Sequence, residues 1–278
     1  MNNLYRWLGP ALALFAVAAT YEPPVRSDPR LLREAATVRE RDPARAMLYQ
    51  TRGNKLVNQG QFEAAVDQFR RAAAYDPLNA GTFINLGYAL DKLGRYPQAI
   101  AELEHAQQLD PNNLMIYLNW GNSLINLKKF DDALEQLQKA NDLDPSNQLV
   151  YVNQAVALSG LGRPKDAAEK FEAASRLDPN NSALVFNCAV AYGTAGELPR
   201  AIDQYQRVIQ LDPKNLAAYF NRAVLLERLG RLDEATQTIQ AALAQAPDNA
   251  TLKEILTRLQ QAKPPPPALL SPLTPARP

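Results

Sequence analysis

The sequence predicts an all-α protein, an α-solenoid of stacked helical hairpins, because its residues recur with a strict 34-residue period. A proline recurs every 34 residues, and an asparagine stands two residues after each proline. The prolines are Pro77, Pro111, Pro145, Pro179, Pro213 and Pro247, and the asparagines are Asn79, Asn113, Asn147, Asn181, Asn215 and Asn249. This register divides the chain into six repeats, which are 46–79, 80–113, 114–147, 148–181, 182–215 and 216–249.

Each repeat has the residues that begin and end two short helices. Five of the six repeats have glycine at position 15, where a residue in the left-handed conformation ends the first helix. The proline at position 32 ends the second helix, and the asparagine at position 34 caps the next first helix. Small residues at positions 8, 20 and 27 let the paired helices approach closely, while bulky apolar residues at positions 4 and 24 fill the space between them. Each repeat is therefore predicted to be a helix–turn–helix.

The repeat resembles that of the tetratricopeptide repeat (TPR) family, whose 34-residue motif combines aromatic, small and proline positions in this order. The sequence departs from the family at position 7, where Arg52, Gln154 and Arg222 replace the usual leucine, so the packing around these three residues is expected to differ. The resemblance implies a right-handed stack of six TPR hairpins whose function is to bind other proteins.

The first 19 residues have the layout of a secretory signal peptide. Arg6 precedes an apolar run from position 7 to position 19, and small residues at the end of this run suit a cleavage site. This layout predicts that the segment is cleaved and that the mature protein is secreted or periplasmic. Two alternatives stay open: residues 4–19 remain as a membrane anchor, or the segment is retained and the protein acts in the cytosol.

The repeats are flanked by further predicted elements. Residues 20–45 are expected to form a linker and an N-terminal capping helix, because the proline spacing extends back to Pro43. Residues 250–262 have apolar residues on one face and polar residues on the other, as expected for a helix that closes a solenoid. The proline-rich residues 263–278 are expected to form a disordered or extended tail.

Charge and composition argue against several classes of protein. The chain has 30 Lys and Arg residues against 29 Asp and Glu residues, and this net charge of +1 argues against a nucleic-acid partner. Cys188 is the single cysteine, so no internal disulfide forms. The one histidine, His105, is predicted on a second helix and out of register with Cys188. We therefore expect no enzymatic activity, no metal site and no cofactor.

The most specific functional prediction is a column of amide side chains on the first helices. In the TPR family, positions 6 and 9 face the concave surface of the stack, and position 6 is asparagine in five repeats here. An amide offers both a donor and an acceptor to the backbone of an extended peptide. The predicted peptide-binding residues are Asn85, Asn119, Asn153, Asn187 and Asn221, with Asn54, Tyr88 and Asn122 beside them. An inherited family pattern also explains the column, so both explanations stay open.

The neighbours of this column indicate what kind of ligand it takes. Positions 2 and 5 of the repeats are mostly apolar, and they would line a binding groove if they are exposed. TPR domains that grip a C-terminal carboxylate need lysine or arginine at fixed groove positions. Gln50, Met115 and Asn119 stand at such positions here, so a carboxylate clamp is not expected.

The sequence thus predicts a non-enzymatic scaffold that holds an extended segment of another protein, outside the cytoplasm. Two alternatives remain. One is a structural assembly factor of an envelope, pilus or secretion complex, and the other is a cytosolic TPR adaptor.

Overall fold

A computed structural model describes residues 41–262, and within this range it contains thirteen α-helices and no β-strand. The helices are α1 Pro43–Asn58, α2 Phe62–Tyr75, α3 Ala80–Lys92, α4 Tyr96–Leu109, α5 Leu114–Asn126, α6 Phe130–Leu143, α7 Gln148–Gly160, α8 Pro164–Leu177, α9 Ser182–Thr194, α10 Leu198–Leu211, α11 Leu216–Arg228, α12 Leu232–Gln245 and α13 Ala250–Ala262. None of these helices is both long and apolar enough to cross a membrane. The predicted signal segment 1–19, the N-terminal capping helix up to residue 40 and the proline-rich tail 263–278 lie outside the described residues.

The helices form two compact bodies, an N-terminal body of residues 41–179 and a C-terminal body of residues 180–262. In the N-terminal body, α1 to α8 pair as four hairpins, and α2, α4 and α6 each also pack against the first helix of the next hairpin. The first helices of neighbouring hairpins contact one another as well (α1 with α3, α3 with α5, α5 with α7), more extensively than the second helices do. The first helices therefore form the inner layer of the N-terminal body. In the C-terminal body, α9 to α12 pair as two hairpins, and α13 packs against α12.

All six predicted asparagine caps are confirmed. In each case the side-chain Oδ1 accepts a hydrogen bond from a backbone N–H two or three residues later, at 3.1–3.3 Å. This bond satisfies one of the N–H groups that the first turn of a helix leaves unpaired. The 34-residue register therefore fixes where each first helix begins.

The turn after each first helix has one residue in the left-handed conformation. Glycine has this role in five repeats, with φ between 69° and 79°, and Lys128 has it in the third repeat with φ of 59°. The Lys128 N–H donates to the carbonyl of Ile125, and the next N–H donates to Leu124, as the matching residues do in the other repeats. These two hydrogen bonds hold the turn in place although a lysine costs about 1–2 kcal/mol in this conformation.

The small residues at position 8 allow each hairpin to close tightly. A Cβ added to Gly53, Gly87 or Gly121 would come within 3.0 Å of the buried side chain of Phe69, Leu103 or Leu137, respectively. Real Cβ atoms do not approach other atoms so closely, so a larger residue would push the two helices apart. This close approach is the reason for the small residue that the sequence pattern predicted.

The three departures at position 7 are accommodated in different ways. Arg52 is exposed, whereas Gln154 is buried and its Nε2 lies 3.5 Å from the carbonyl oxygen of Leu137. Arg222 is half-buried, and its Nη1 donates to the hydroxyl of Thr238. The hairpins form with these polar side chains in place.

Candidate functional site

The predicted asparagine column lies on the first helices of both bodies. In the N-terminal body, Asn85 is on α3, Asn119 on α5 and Asn153 on α7, and all three are partly exposed. Residues two apart on a helix point about 200° from each other. Because Gly121 faces α6, Asn119 points away from it, towards the inner surface of the body. The same register places Asn85 and Asn153 on that surface.

The first asparagine of the column already has a partner within the protein. The Nδ2 of Asn85 donates to the Oδ1 of Asn54 at 3.1 Å, and this bond joins α3 to α1. Two of the predicted peptide-binding residues therefore bind each other. A ligand that used either amide would compete with this hydrogen bond.

In the C-terminal body, the column contains Asn187 on α9 and Asn221 on α11. The Nδ2 of Asn221 donates to the phenol oxygen of Tyr205 at 3.2 Å. Tyr205 is buried, and burial raises its pKa to about 12, while the bond from Asn221 acts in the opposite direction. Asn187 makes no hydrogen bond with another residue of 41–262, and its neighbour Phe186 contacts the Tyr205 ring edge to face. Asn221 is thus tied to the core of this body, and Asn187 is not.

Asn122 belongs to a polar network that the sequence did not reveal. Asp91, on α3, is buried and accepts three hydrogen bonds from α5. Three side chains donate to this carboxylate: Asn122 at 3.1 Å, the fully buried hydroxyl of Ser123 at 2.7 Å, and Asn126 at 3.3 Å. The carboxylate thereby joins two neighbouring first helices. The available signal in the sequence is an aspartate at position 12 that is followed one repeat later by three polar residues at positions 9, 10 and 13.

Tyr88 lies on the same helix as Asp91 and is partly exposed. The Nζ of Lys92 lies 5.1 Å from the centroid of its ring, within the range of a cation–π interaction. These two residues give the inner surface of α3 an aromatic and cationic character. The structure places Tyr88 on the surface where it was predicted.

The inner surface of α5 and α7 has a different character. Asn119 and Asn153 make no hydrogen bond with another residue of the described chain. Four residues before each of them stands an exposed apolar side chain, Met115 at 45% exposure and Leu149 at 56%. Residues i and i+4 lie side by side on a helix, so each helix has an apolar side chain next to an amide. We call these four residues, Met115, Asn119, Leu149 and Asn153, the α5–α7 surface.

The expectation that position 5 also lines the groove is wrong for two repeats. Ile84 and Leu118 are only 7% and 5% exposed, and both pack in the core between hairpins. Position 5 lies three residues after position 2, on the side of the helix that meets the neighbouring hairpin. Val152 on α7 is half-buried and reaches the surface. The exposed apolar residues of the groove are therefore those at position 2.

A cleft of about 380 Å³ opens elsewhere on the N-terminal body, where α6, α7 and α8 meet. It is lined by Leu134, Gln138, Gln154, Leu158, Arg163, Asp166, Glu169 and Lys170. Arg163 and Asp166 at this cleft form an ion pair with each other, at 2.6 Å. The cleft involves second helices and is separate from the predicted column.

The two residues considered for catalysis lie in different bodies. Cys188 is fully buried on α9, in the C-terminal body. His105 is exposed on α4, and its ring packs against Phe83 at 4.2 Å between centroids.

Comparison with protein families identifies the repeat. A family model described as tetratricopeptide repeat matches residues 51–113, 118–182 and 188–250, which is more than half of the chain. The chain belongs to the tetratricopeptide repeat family. Its fold is the TPR solenoid predicted from the 34-residue period. TPR proteins act as scaffolds for protein–protein interactions, and this chain has the fold for that role.

Several solved TPR structures are similar to the chain. YrrB, described as a TPR protein with an unusual peptide-binding site, is 22% identical, and the match covers 68% of this chain and 97% of YrrB with a TM-score of 0.57. PilF of Pseudomonas aeruginosa is 21% identical over 77% of this chain and 98% of its own, with a TM-score of 0.60. MamA of Desulfovibrio magneticus RS-1 is 21% identical over 62% and 97%, with a TM-score of 0.56. At these identities the likeness supports the fold alone. A comparison with curated proteins gives no match.

Proposed function

We propose that the protein is a scaffold that holds an extended segment of a partner protein against its inner, first-helix surface, with the α5–α7 surface at the centre of the contact. The observation that carries this proposal is an amide that bonds to no other described residue beside an exposed apolar side chain, a pair that occurs twice in register. An extended segment has unpaired backbone N–H and C=O groups, which the amides of Asn119 and Asn153 complement. Met115 and Leu149 would lose water contact on binding, which favours association.

The similarity to other TPR proteins supports this proposal. YrrB has a similar fold and is described as having a peptide-binding site. TPR stacks in general bind protein or peptide partners. The particular residues follow from this chain alone. Within residues 41–262, Asn54, Asn85 and Asn122 are occupied by hydrogen bonds to other side chains, and Asn119 and Asn153 are not.

We also propose that the scaffold acts outside the cytoplasm, after removal of residues 1–18 or 1–19. This part of the proposal is supported by the apolar run that follows Arg6 and by the small residues at its end. The intact mass of the natively expressed protein tests it. A full-length chain recovered from the cytosol would favour a cytosolic adaptor instead.

The peptide-binding proposal is tested by affinity capture from a membrane fraction with the immobilised protein. The test variant is Asn119→Ala with Asn153→Ala. The matched control is Asn112→Ala with Asn180→Ala, which removes two exposed amides from the turns between repeats. We expect proteins captured by the wild type and the control to be lost or strongly reduced with the test variant. Capture of the same proteins in the same amounts by all three would contradict the proposal and point to the second-helix side, as in an envelope assembly factor.

A further inference from the structure

The two helices of the α5–α7 surface have no charged residue. Neither Leu114–Asn126 nor Gln148–Gly160 contains Asp, Glu, Lys, Arg or His, although 21% of the residues of the chain are charged. The charged residues of these two hairpins all lie on the second helices or in the turns. Those on α6 and α8 are Asp131, Asp132, Glu135, Lys139, Asp142, Lys165, Asp166, Glu169, Lys170, Glu172 and Arg176. The inner surface of α5 and α7 is therefore uncharged, and the charge of these two hairpins lies on the second helices and in the turns.

A neutral surface selects against charged ligands. A charged side chain that is pressed against Met115 or Leu149 loses water and gains no oppositely charged partner, which costs several kcal/mol at full burial. The amides of Asn119 and Asn153 satisfy neutral backbone groups without that cost. The segment that fits this surface is therefore uncharged where it crosses α5 and α7.

The spacing of the helices restricts the conformation of the ligand. Helices α5 and α7 are in contact, and packed helices lie about 8–10 Å apart. A polyproline II segment rises about 3.1 Å per residue with three residues per turn, so it repeats every 9 Å or so. A β-strand presents the same side every second residue, at about 6.7 Å, and thus matches the helix spacing less well. A polyproline II ligand can therefore place equivalent side chains on Met115 and Leu149.

We propose that the α5–α7 surface binds an uncharged polyproline II segment with an apolar side chain at every third position, an inference that rests on the function proposed above. The apolar residues contact Met115 and Leu149, one per helix. Asn119 and Asn153 hydrogen-bond the backbone of the ligand, which this conformation leaves without internal hydrogen bonds. The residue opposite each asparagine has to keep its N–H, so it is not proline.

The proposal is tested by calorimetric titration of the full chain with three synthetic peptides, each acetylated and amidated to remove the terminal charges. The first probe is Leu-Gln-Pro repeated four times. The second has the same composition, but its four leucines stand at alternate positions from the first residue onward. The third replaces each Gln of the first probe with Glu. We expect the first probe to bind at least roughly tenfold more tightly than either of the others, a difference of about 1.4 kcal/mol.

Each outcome decides a different part of the proposal. Equal binding of the first two probes would overturn the three-residue period, and equal binding of the third would overturn the selection against charge. Binding of the first probe that is unchanged by Asn119→Ala with Asn153→Ala would overturn the location. If no probe binds while a captured partner does bind through Asn119 and Asn153, this inference is wrong and the proposed function stands. If binding of the captured partner does not depend on Asn119 and Asn153, the proposed function is wrong, and this inference is wrong with it.

Discussion

Two parts of one inner surface differ in what their polar groups do. Between α1 and α5 the amides have partners inside the protein, since Asn85 bonds to Asn54 and Asn122 bonds to Asp91. On the α5–α7 surface, Asn119 and Asn153 have no such partner among residues 41–262, and an exposed apolar residue stands beside each of them. The first part stabilises the stack, and the second is the part we propose to bind a ligand.

The difference arises from the neighbours of the column and not from the column itself. Asn85 bonds to position 9 of the preceding repeat, which is Asn54. The matching residue for Asn119 is Tyr88, which has no amide to offer. The matching residue for Asn153 is Asn122, but Asp91 accepts its Nδ2 hydrogen bond. The buried carboxylate therefore holds the Asn122 side chain against α3, and no hydrogen bond joins it to Asn153 within the described residues.

The largest expected effect concerns Tyr205, whose phenol accepts the hydrogen bond of Asn221 in the C-terminal body. The pKa of Tyr205 is raised from 10.0 to about 12, so its neutral form is favoured in the folded state. The stability that this group contributes is complete below pH 10 and is lost as the pH rises from 10 to about 12, by about 2–3 kcal/mol. Urea unfolding at pH 9 and pH 11.5 should show a larger loss for the wild type than for Tyr205→Phe. Equal losses would show that the phenol does not resist ionisation.

Next in size is the effect of removing the carboxylate that ties α3 to α5. Asp91→Ala leaves the fully buried Ser123 hydroxyl without its acceptor, and we expect the free energy of unfolding to fall by about 1–3 kcal/mol. It also frees Asn122 to pair with Asn153, so partner binding should weaken as well. Asp67→Ala, which removes an exposed carboxylate from α2, is the control and should change stability by less than about 0.5 kcal/mol. Full stability and full partner binding of Asp91→Ala would show that this carboxylate does not keep Asn122 away from Asn153.

The smallest effect compares a tied and an untied amide directly. Alanine is a better helix former than asparagine by up to about 0.7 kcal/mol, so Asn119→Ala should be as stable as the wild type or slightly more stable. Asn85→Ala gains the same helix propensity but loses the bond to Asn54, which is worth about 0.5 kcal/mol at such an exposed position. Thermal unfolding should therefore rank Asn119→Ala above Asn85→Ala. The reverse order would mean that Asn119 has a structural role.

The sequence predicts the fold well because each hairpin depends on local residues. The small residues that face Phe69 or Leu137 act within one repeat, and each asparagine caps the helix that begins directly after it, so the period alone identifies them. The Asp91 network is not predictable in this way, because it joins one position of a repeat to three other positions of the next. Burial of Ile84 and Leu118 likewise depends on the neighbouring hairpin. The column could thus be placed from the sequence, but its division into tied and untied amides could not.

The most direct test of this division is calorimetric titration of a captured partner segment against the wild type and two double variants. Asn119→Ala with Asn153→Ala should weaken binding roughly ten- to hundredfold, since it removes two hydrogen bonds of about 0.5–1.5 kcal/mol each, and it should leave the melting temperature unchanged or slightly raised. Asn54→Ala with Asn85→Ala should change the affinity by less than about threefold. Equal losses of affinity in both double variants, or no loss in the first, would contradict the division into tied and untied amides.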